Sequence, residues 1–178
     1  FLDLGTVMVT RRQSVILIGS AFFAPTIGAA QTSGLGIPSG QPILRITGKI
    51  SRQNDNGAAV FDGAMLESLG MTSFETMTPW YTDKVKFEGI PMARLLASVG
   101  ASGDKLRVTA LNDYTSEIPI EDFEKYGVIL ALKRNGQYMP VSDKGPLFIV
   151  YPFDAMPELK SQKFYSRSAW QVARMEVK

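Results

Sequence analysis

Hydrophobic and polar positions alternate along several short segments of the chain, the pattern typical of β-strands with one buried face. In the first segment, Ile43, Arg45 and Thr47 alternate with Leu44 and the residues that follow it. Asn135-Gly136 is the strongest two-residue hairpin signal in the chain. Further strands are predicted at 58–61, 72–78, 106–111, 114–118, 128–132, 137–141, 147–151 and 169–177, and 80–87 is predicted to be partly extended.

Helical signals are fewer and shorter. Asp62 is a predicted N-cap for a helix that ends at Gly70, and Pro91 opens a second helix. A helical turn is predicted after Pro119, whereas 152–168 is predicted to be long and irregular. Many short strands with few short helices indicate the α+β class, a mainly-β mixed sheet with short helices.

The first thirty residues have the layout of a secretory signal peptide: Arg11 and Arg12, an apolar run over 15–23, then small residues up to Ala30. A buried first helix is the alternative for this segment. The export pathway is left open between Sec and twin-arginine export. Met8 is a candidate true start, with 1–7 upstream of it. We therefore expect a signal peptide over 1–30, a flexible leader over 31–41, a domain over 42–178 and a periplasmic location.

Composition narrows the function. The 178 residues are 45% hydrophobic and carry 19 basic against 17 acidic side chains, enough for one core and without a basic run of the kind that binds nucleic acid. The sequence has no cysteine and no histidine. This excludes the usual zinc sites, iron–sulfur clusters, His-ligated haem, Ser-His or Cys-His nucleophiles and disulfides. The missing cysteine and histidine therefore favour a binding protein over an enzyme.

The order of several short motifs resembles the molybdopterin-binding domain of the sulfite oxidase superfamily. The motifs are Phe87-Glu-Gly-Ile-Pro-Met-Ala-Arg-Leu-Leu96, Ala110-Leu-Asn-Asp-Tyr114, Ile129-Leu-Ala-Leu132, Asn135-Gly136, Asp143-Lys-Gly-Pro146 and Val150-Tyr-Pro152. The resemblance covers about 42–177 and implies the sulfite oxidase (SUOX) fold.

The chain departs from that family where the metal is held. The family's cysteine ligand of molybdenum falls in 76–80, here Thr-Met-Thr-Pro-Trp, and Lys144 stands where the family has a histidine. The sequence is similar to the cysteine-less exported pterin-binding regulators of the PruR-like subgroup. That resemblance implies a non-catalytic protein that binds a reduced pterin without molybdenum or another metal. It also implies a partner, the periplasmic domain of a membrane diguanylate cyclase/phosphodiesterase or sensor kinase, and so a role in cyclic di-GMP regulation, with no membrane span in the mature form.

A pterin is a flat heterocycle that stacks on aromatic rings or guanidinium groups and whose amino-pyrimidinone edge favours an acceptor pair. Asp154 is a further candidate carboxylate, and Arg167 is a candidate stacking or donor group. The predicted pterin-binding residues are Thr78, Trp80, Asp113, Tyr114, Lys144, Phe153, Tyr165, Arg167, Ser168 and Trp170.

Structural roles compete with several of these assignments: Trp170 as a strand core residue, Asp113 as a turn residue and Lys144 as a solvated turn residue. Three functions remain open: the pterin-responsive regulator, a molybdopterin-dependent oxidoreductase subunit, and a ligand-free interaction module of the same fold.

Overall fold

The computed structural model describes residues 34–178, so the predicted signal peptide and Met8 lie outside the described residues. Within 34–178, no helix combines the length and the apolar character that crossing a bilayer requires. The helices are α1 (Gly63–Ser68), α2 (Met92–Ser98), α3 (Glu121–Tyr126) and α4 (Gln162–Arg167). The strands are β1 (Leu44–Gly48), β2 (Ala59–Phe61), β3 (Thr72–Thr76), β4 (Val85–Pro91), β5 (Lys105–Ala110), β6 (Thr115–Pro119), β7 (Ile129–Arg134), β8 (Gln137–Tyr138), β9 (Phe148–Val150) and β10 (Val172–Val177).

The first sheet has the strand order β2-β1-β10-β5-β6, in which β1 and β10 pair in parallel and the other neighbours pair antiparallel. Strands β1 and β5 alternate in burial, as expected when one face of a sheet is covered and the other is exposed. On the exposed face Arg107 pairs with Glu117 at 3.4 Å and with Glu176 at 3.3 Å. The alternation seen in the sequence therefore corresponds to a sheet with one solvated face.

The second sheet has the order β3-β4-β7-β8, and β9 also pairs with β7. Residues Ile129–Leu132 of β7 and all of β9 are buried. Continuous apolar runs are expected for strands covered on both faces. The mainly-β α+β architecture predicted from the sequence is confirmed.

Two local predictions differ from the structure. The leader is not free over 36–40, because the backbone N–H groups of Ser39 and Gly40 donate to Asp62 Oδ2 at 2.8 and 2.7 Å, and Asn54 Nδ2 donates to the Gly36 carbonyl at 2.7 Å. Asp62 also caps α1, as predicted, by accepting from the N–H of Met65 at 2.8 Å.

The second difference is α4, which lies in the segment predicted to be irregular. Its sequence, QKFYSR, has one strongly apolar position, Phe164. That ring is buried against Tyr126 and Tyr151, at centroid distances of 5.1 and 5.4 Å. Tertiary packing stabilises a helix that six residues of modest propensity do not signal.

Candidate functional site

A cleft of about 370 Å³ lies where three segments meet: the loop after β3, the turn between β5 and β6, and α4 with the residues that lead into β10. Its lining residues are Pro79, Trp80, Ala110, Asn112, Tyr114, Gln162, Tyr165, Ser166, Ser168, Ala169 and Trp170. The cleft therefore draws on both sheets and on the unpredicted helix.

Trp80 is the central ring of the cleft. Its indole makes edge-on contacts with Trp170 at 5.5 Å and with Tyr165 at 6.1 Å, both of which also line the cleft. The hydroxyl of Thr78 accepts a 3.3 Å hydrogen bond from the backbone N–H of Trp80. Thr78 is itself 8% exposed and does not line the cleft, so it positions the loop that carries Trp80.

Phe153 forms part of the support behind the cleft. It is 1% exposed and contacts Tyr165 at 5.2 Å and Trp80 at 6.0 Å. Phe148 contacts Trp80 from the same core at 5.4 Å. These rings hold the exposed aromatic side chains in fixed orientations, but Phe153 presents no surface to the cleft.

The turn between β5 and β6 forms one wall. Asn112 Oδ1 accepts from the backbone N–H of Tyr114 at 3.2 Å, which leaves the amide Nδ2 as a donor, and Tyr114 is 50% exposed. The Ser116 hydroxyl donates to the Ser166 carbonyl at 2.9 Å, joining this wall to α4.

Helix α4 forms the opposite wall through Gln162, Tyr165 and Ser166. Ser168, which follows the helix, lines the cleft too, but its hydroxyl donates to the Phe164 carbonyl at 2.9 Å. Ser168 is 1% exposed. Its side chain therefore closes the helix end.

All of the lining side chains are neutral. The polar groups available to a ligand include the amides of Asn112 and Gln162 and the hydroxyls of Tyr114 and Tyr165. Lys144 does not line the cleft, but its Nζ lies 5.9 Å from the Trp170 ring centroid and 4.5 Å from that of Tyr81. The cleft suits a flat, uncharged heterocycle between aromatic rings, with amide groups at its edge.

Five of the ten predicted site residues do not line the cleft; besides Thr78, Lys144 and Phe153, these are Asp113 and Arg167. Asp113 pairs with Arg174 at 2.7 Å on the exposed face of the first sheet, and its side chain is 82% exposed. Its backbone φ of 62° marks it as a turn residue. Arg167 pairs with the buried Asp122 at 2.6 Å, and its side chain is 17% exposed. Neither residue lines the cleft.

Asp154, the other predicted carboxylate, fastens the loop that precedes Trp80. Its Oδ2 accepts from the backbone N–H of Met77 at 2.9 Å, and its Oδ1 pairs with Lys160 at 2.8 Å. The hydrogen bond from Lys160, followed by that from Met77, lowers the pKa of Asp154. Asp154 is thus held ionised by the protein rather than directed at the cleft.

Sequence reasoning missed Gln162 and Ser166, and it treated Asn112 only as a turn residue. Gln162 and Ser166 stand in a segment without periodicity, so nothing in the pattern distinguishes them. Asn112 stands two positions before Tyr114 in a turn between two predicted strands. Its amide can hydrogen-bond a heterocycle, so it could have been predicted as a ligand-binding group.

The comparisons with known proteins address the fold directly. The family model of the oxidoreductase molybdopterin-binding domain matches residues 63–163, which is more than half of the chain. The chain belongs to this family. The sulfane dehydrogenase SoxCD from Paracoccus pantotrophus has a similar solved structure, with a TM-score of 0.58 and 19% sequence identity. That match covers 75% of this chain and 37% of the SoxCD chain. No curated protein matches the chain.

Membership in the molybdopterin-binding domain family confirms the resemblance at the level of the superfamily and its fold. The matched segment includes Trp80, Asn112, Tyr114 and Gln162. Five cleft residues follow the end of the match: Tyr165, Ser166, Ser168, Ala169 and Trp170. The cleft therefore includes a part of the chain beyond the family's matched core.

The donor atoms of the chain do not fit the family's metal chemistry. No thiol is available, and Thr76, in the segment where the family's cysteine was placed, is fully buried. Its hydroxyl accepts from the Asp154 N–H at 3.0 Å and donates to the Met77 carbonyl at 3.2 Å. Across 34–178, no three His, Cys, Asp or Glu side chains cluster in a way that could hold a metal ion. A soft transition metal finds no thiolate here.

Proposed function

We propose that this chain is a periplasmic, non-catalytic pterin-binding protein. Its ligand is a reduced pterin without molybdenum. Its output is contact with the periplasmic sensor domain of a membrane enzyme that makes and degrades cyclic di-GMP.

The observation that carries the proposal is the cleft itself. Trp80, Trp170, Tyr114 and Tyr165 supply ring faces and edges at the mouth and sides of the cleft, and Gln162 supplies an amide at its rim. An amide offers one acceptor and two donors, which complements the mixed donor and acceptor edge of a pterin ring. This amide takes the role that the sequence had assigned to a carboxylate.

The absence of cysteine from the sequence favours binding over redox catalysis. A pterin ring needs stacking and hydrogen bonds, and the cleft supplies both with neutral groups. A metal-bound cofactor would also need a ligand that the buried Thr76 hydroxyl does not provide.

Isothermal titration calorimetry of the purified protein with neopterin and its 7,8-dihydro form tests the binding step. We expect one pterin per chain, bound more tightly in the reduced form. Heats no larger than those of dilution for both compounds would contradict the proposal.

Membership in the family favours a second function, a molybdopterin-dependent oxidoreductase subunit. Metal analysis of protein purified from its native periplasm separates the two functions. We expect molybdenum far below one atom per chain, and a stoichiometric content would establish the oxidoreductase instead.

The signalling step is tested by capture of the partner's periplasmic domain on the immobilised protein, with and without neopterin. We expect the captured amount to depend on neopterin. Equal capture in both conditions would show that occupancy is not what the partner senses.

A further inference from the structure

One wall of the cleft rests on a helix too short to hold itself in place. Helix α4 has six residues and carries Gln162, Tyr165 and Ser166. Isolated helices of this length are unstable in water, because few hydrogen bonds form for the dihedral angles that become fixed. The position of this wall must therefore come from contacts with the rest of the protein.

The strongest polar contact of α4 is made at its last residue. Arg167 Nη1 donates to Asp122 Oδ2 at 2.6 Å, and the Tyr151 hydroxyl donates to the same oxygen at 2.8 Å. Asp122 is 4% exposed, lies on α3 and does not line the cleft. The guanidinium carbon of Arg167 also lies 5.5 Å from the ring centroid of Phe164, the buried residue of the same helix. These groups form a buried, charge-assisted attachment between α4 and the core.

We infer that Arg167 is a positioning residue for the cleft: through Asp122 it fixes α4, and with it Tyr165 and Gln162, without touching the ligand. The identity of the ligand in this inference rests on the proposed function. Tyr165 lies between the attachment and the central ring of the cleft, 6.1 Å from Trp80. A shift of α4 would therefore change both the width of the cleft and the surroundings of that indole.

The alternative, that the Arg167 guanidinium binds the ligand, requires it to leave Asp122. That would leave a buried carboxylate without its cation, which is strongly unfavourable. Arg167 also stands outside the lining of the cleft. The two roles predict opposite effects of removing the charge of Asp122.

The experiment compares Arg167→Met, Asp122→Asn and the double variant in the full chain, with neopterin affinity measured by calorimetry. The double variant removes both charges together, so it leaves no unpaired buried charge if the single variants fold poorly. The matched control removes another Arg–Asp pair, Arg45→Met with Asp55→Asn, joined at 2.6 Å on the surface and outside the cleft.

A positioning role predicts that all three variants weaken neopterin binding by a similar factor, roughly tenfold or about 1.4 kcal/mol, and that the two single effects do not add. We expect Arg167→Lys, which keeps a cation, to restore part of the affinity, and the control pair to bind as the wild type does. A direct contact predicts that Asp122→Asn leaves binding unchanged or tighter while Arg167→Met loses it, and that result would overturn the inference.

A second readout needs no ligand. The sequence contains two tryptophans, Trp80 and Trp170, and both line the cleft. The indole bands of the near-ultraviolet circular dichroism spectrum therefore come only from side chains that line the cleft. We expect altered indole bands, with an unchanged far-ultraviolet spectrum, in the Arg167 and Asp122 variants but not in the control pair. Wild-type indole bands in the double variant would overturn the positioning role.

The two readouts keep the proposals separable. Absent neopterin binding by the wild-type protein, together with altered indole bands in the double variant, would reject the proposed function and retain the positioning role. Normal neopterin binding by the wild-type protein, together with unaltered indole bands and affinity in the double variant, would retain the proposed function and reject the positioning role.

Discussion

At the scale of single residues, the cleft is lined by neutral side chains, and carboxylates outside it bond two of the segments that carry them. Asp154 fastens the loop before Trp80, and Asp122 holds Arg167 at the end of α4. Neither carboxylate lines the cleft. In the proposed function these charged groups hold the segments in place, and the rings and amides contact the ligand.

Trp170→Ala is expected to weaken neopterin binding by about 1–3 kcal/mol, the range found when an aromatic side chain that stacks on a heterocyclic base is truncated. Trp170 is 37% exposed but also packs on Trp80 and on the buried Phe148, so an unchanged far-ultraviolet circular dichroism spectrum is required of the variant before its affinity is compared. Calorimetry with Tyr138→Ala, an aromatic residue that is 62% exposed outside the cleft, is the control. Equal affinities for the two variants would exclude stacking on Trp170.

The raised pKa of the Tyr81 hydroxyl predicts that the protein loses stability at alkaline pH. Burial, together with the hydrogen bond to Asp143 at 3.0 Å, raises the pKa of Tyr81 to about 12. An unfolded tyrosine ionises near pH 10, so between about pH 10 and 12 the unfolded chain binds fewer protons and stability falls as pH rises. Below pH 10 the contribution is fully present.

Denaturation with urea from pH 8.5 to 11.5 measures this dependence, and Tyr81→Phe is expected to reduce its slope in the alkaline range. Identical slopes for Tyr81→Phe and the wild type would contradict the assignment.

At the scale of elements, the two sheets depend on close backbone contacts as well as on apolar patterning. The pairing of β4 with β7 shifts register between Glu88 and Gly89. A Cβ at Gly89 would collide with the Leu130 carbonyl oxygen and the Ala131 Cα of the neighbouring strand. This glycine is required because a backbone occupies the space of its side chain.

Gly89→Ala should therefore destabilise the protein by about 1–3 kcal/mol, the usual cost of overpacking. Gly63→Ala is the matched control, since Gly63 lies in α1, where a Cβ would meet no atom within 4 Å and alanine favours the helix. Urea denaturation at neutral pH measures both. If Gly89→Ala were as stable as Gly63→Ala, β4 and β7 would have to accommodate the added Cβ without a loss of folding free energy.

At the scale of the whole molecule, the cleft is lined by segments that belong to both sheets. Trp80 follows β3 of the second sheet, whereas Asn112 and Tyr114 lie between strands of the first. A ligand between these segments would contact both sheets at once. Binding should therefore restrict parts of the chain that are far apart in sequence.

Hydrogen–deuterium exchange of the full protein with and without saturating neopterin tests this expectation. We expect increased protection in 77–82, 111–116 and 162–171, and unchanged exchange in α1 and α2, which line other surfaces. At a free ligand concentration of 100 Kd the folded state should also gain about 2.7 kcal/mol. Protection confined to one of the three segments would mean that the ligand does not bridge the sheets.

The sequence by itself determined the superfamily through the order of its short motifs. It also determined the α+β class and most strand positions, because burial alternates along a strand with the period of two that the residues display. It also determined the lack of a thiol ligand, and four of the aromatic residues that it proposed for pterin binding, Trp80, Tyr114, Tyr165 and Trp170, line the cleft.

Only the tertiary structure decided which polar residues face the cleft. Arg167 and Asp113 had the right chemistry for a ligand, but each found a partner, Asp122 or Arg174, more than forty positions away in the chain. The place of α4 was decided in the same way, since a six-residue helix forms where the core receives Phe164. Local pattern specifies strands through periodicity, whereas the partners of charged groups and the positions of short helices depend on contacts between distant segments.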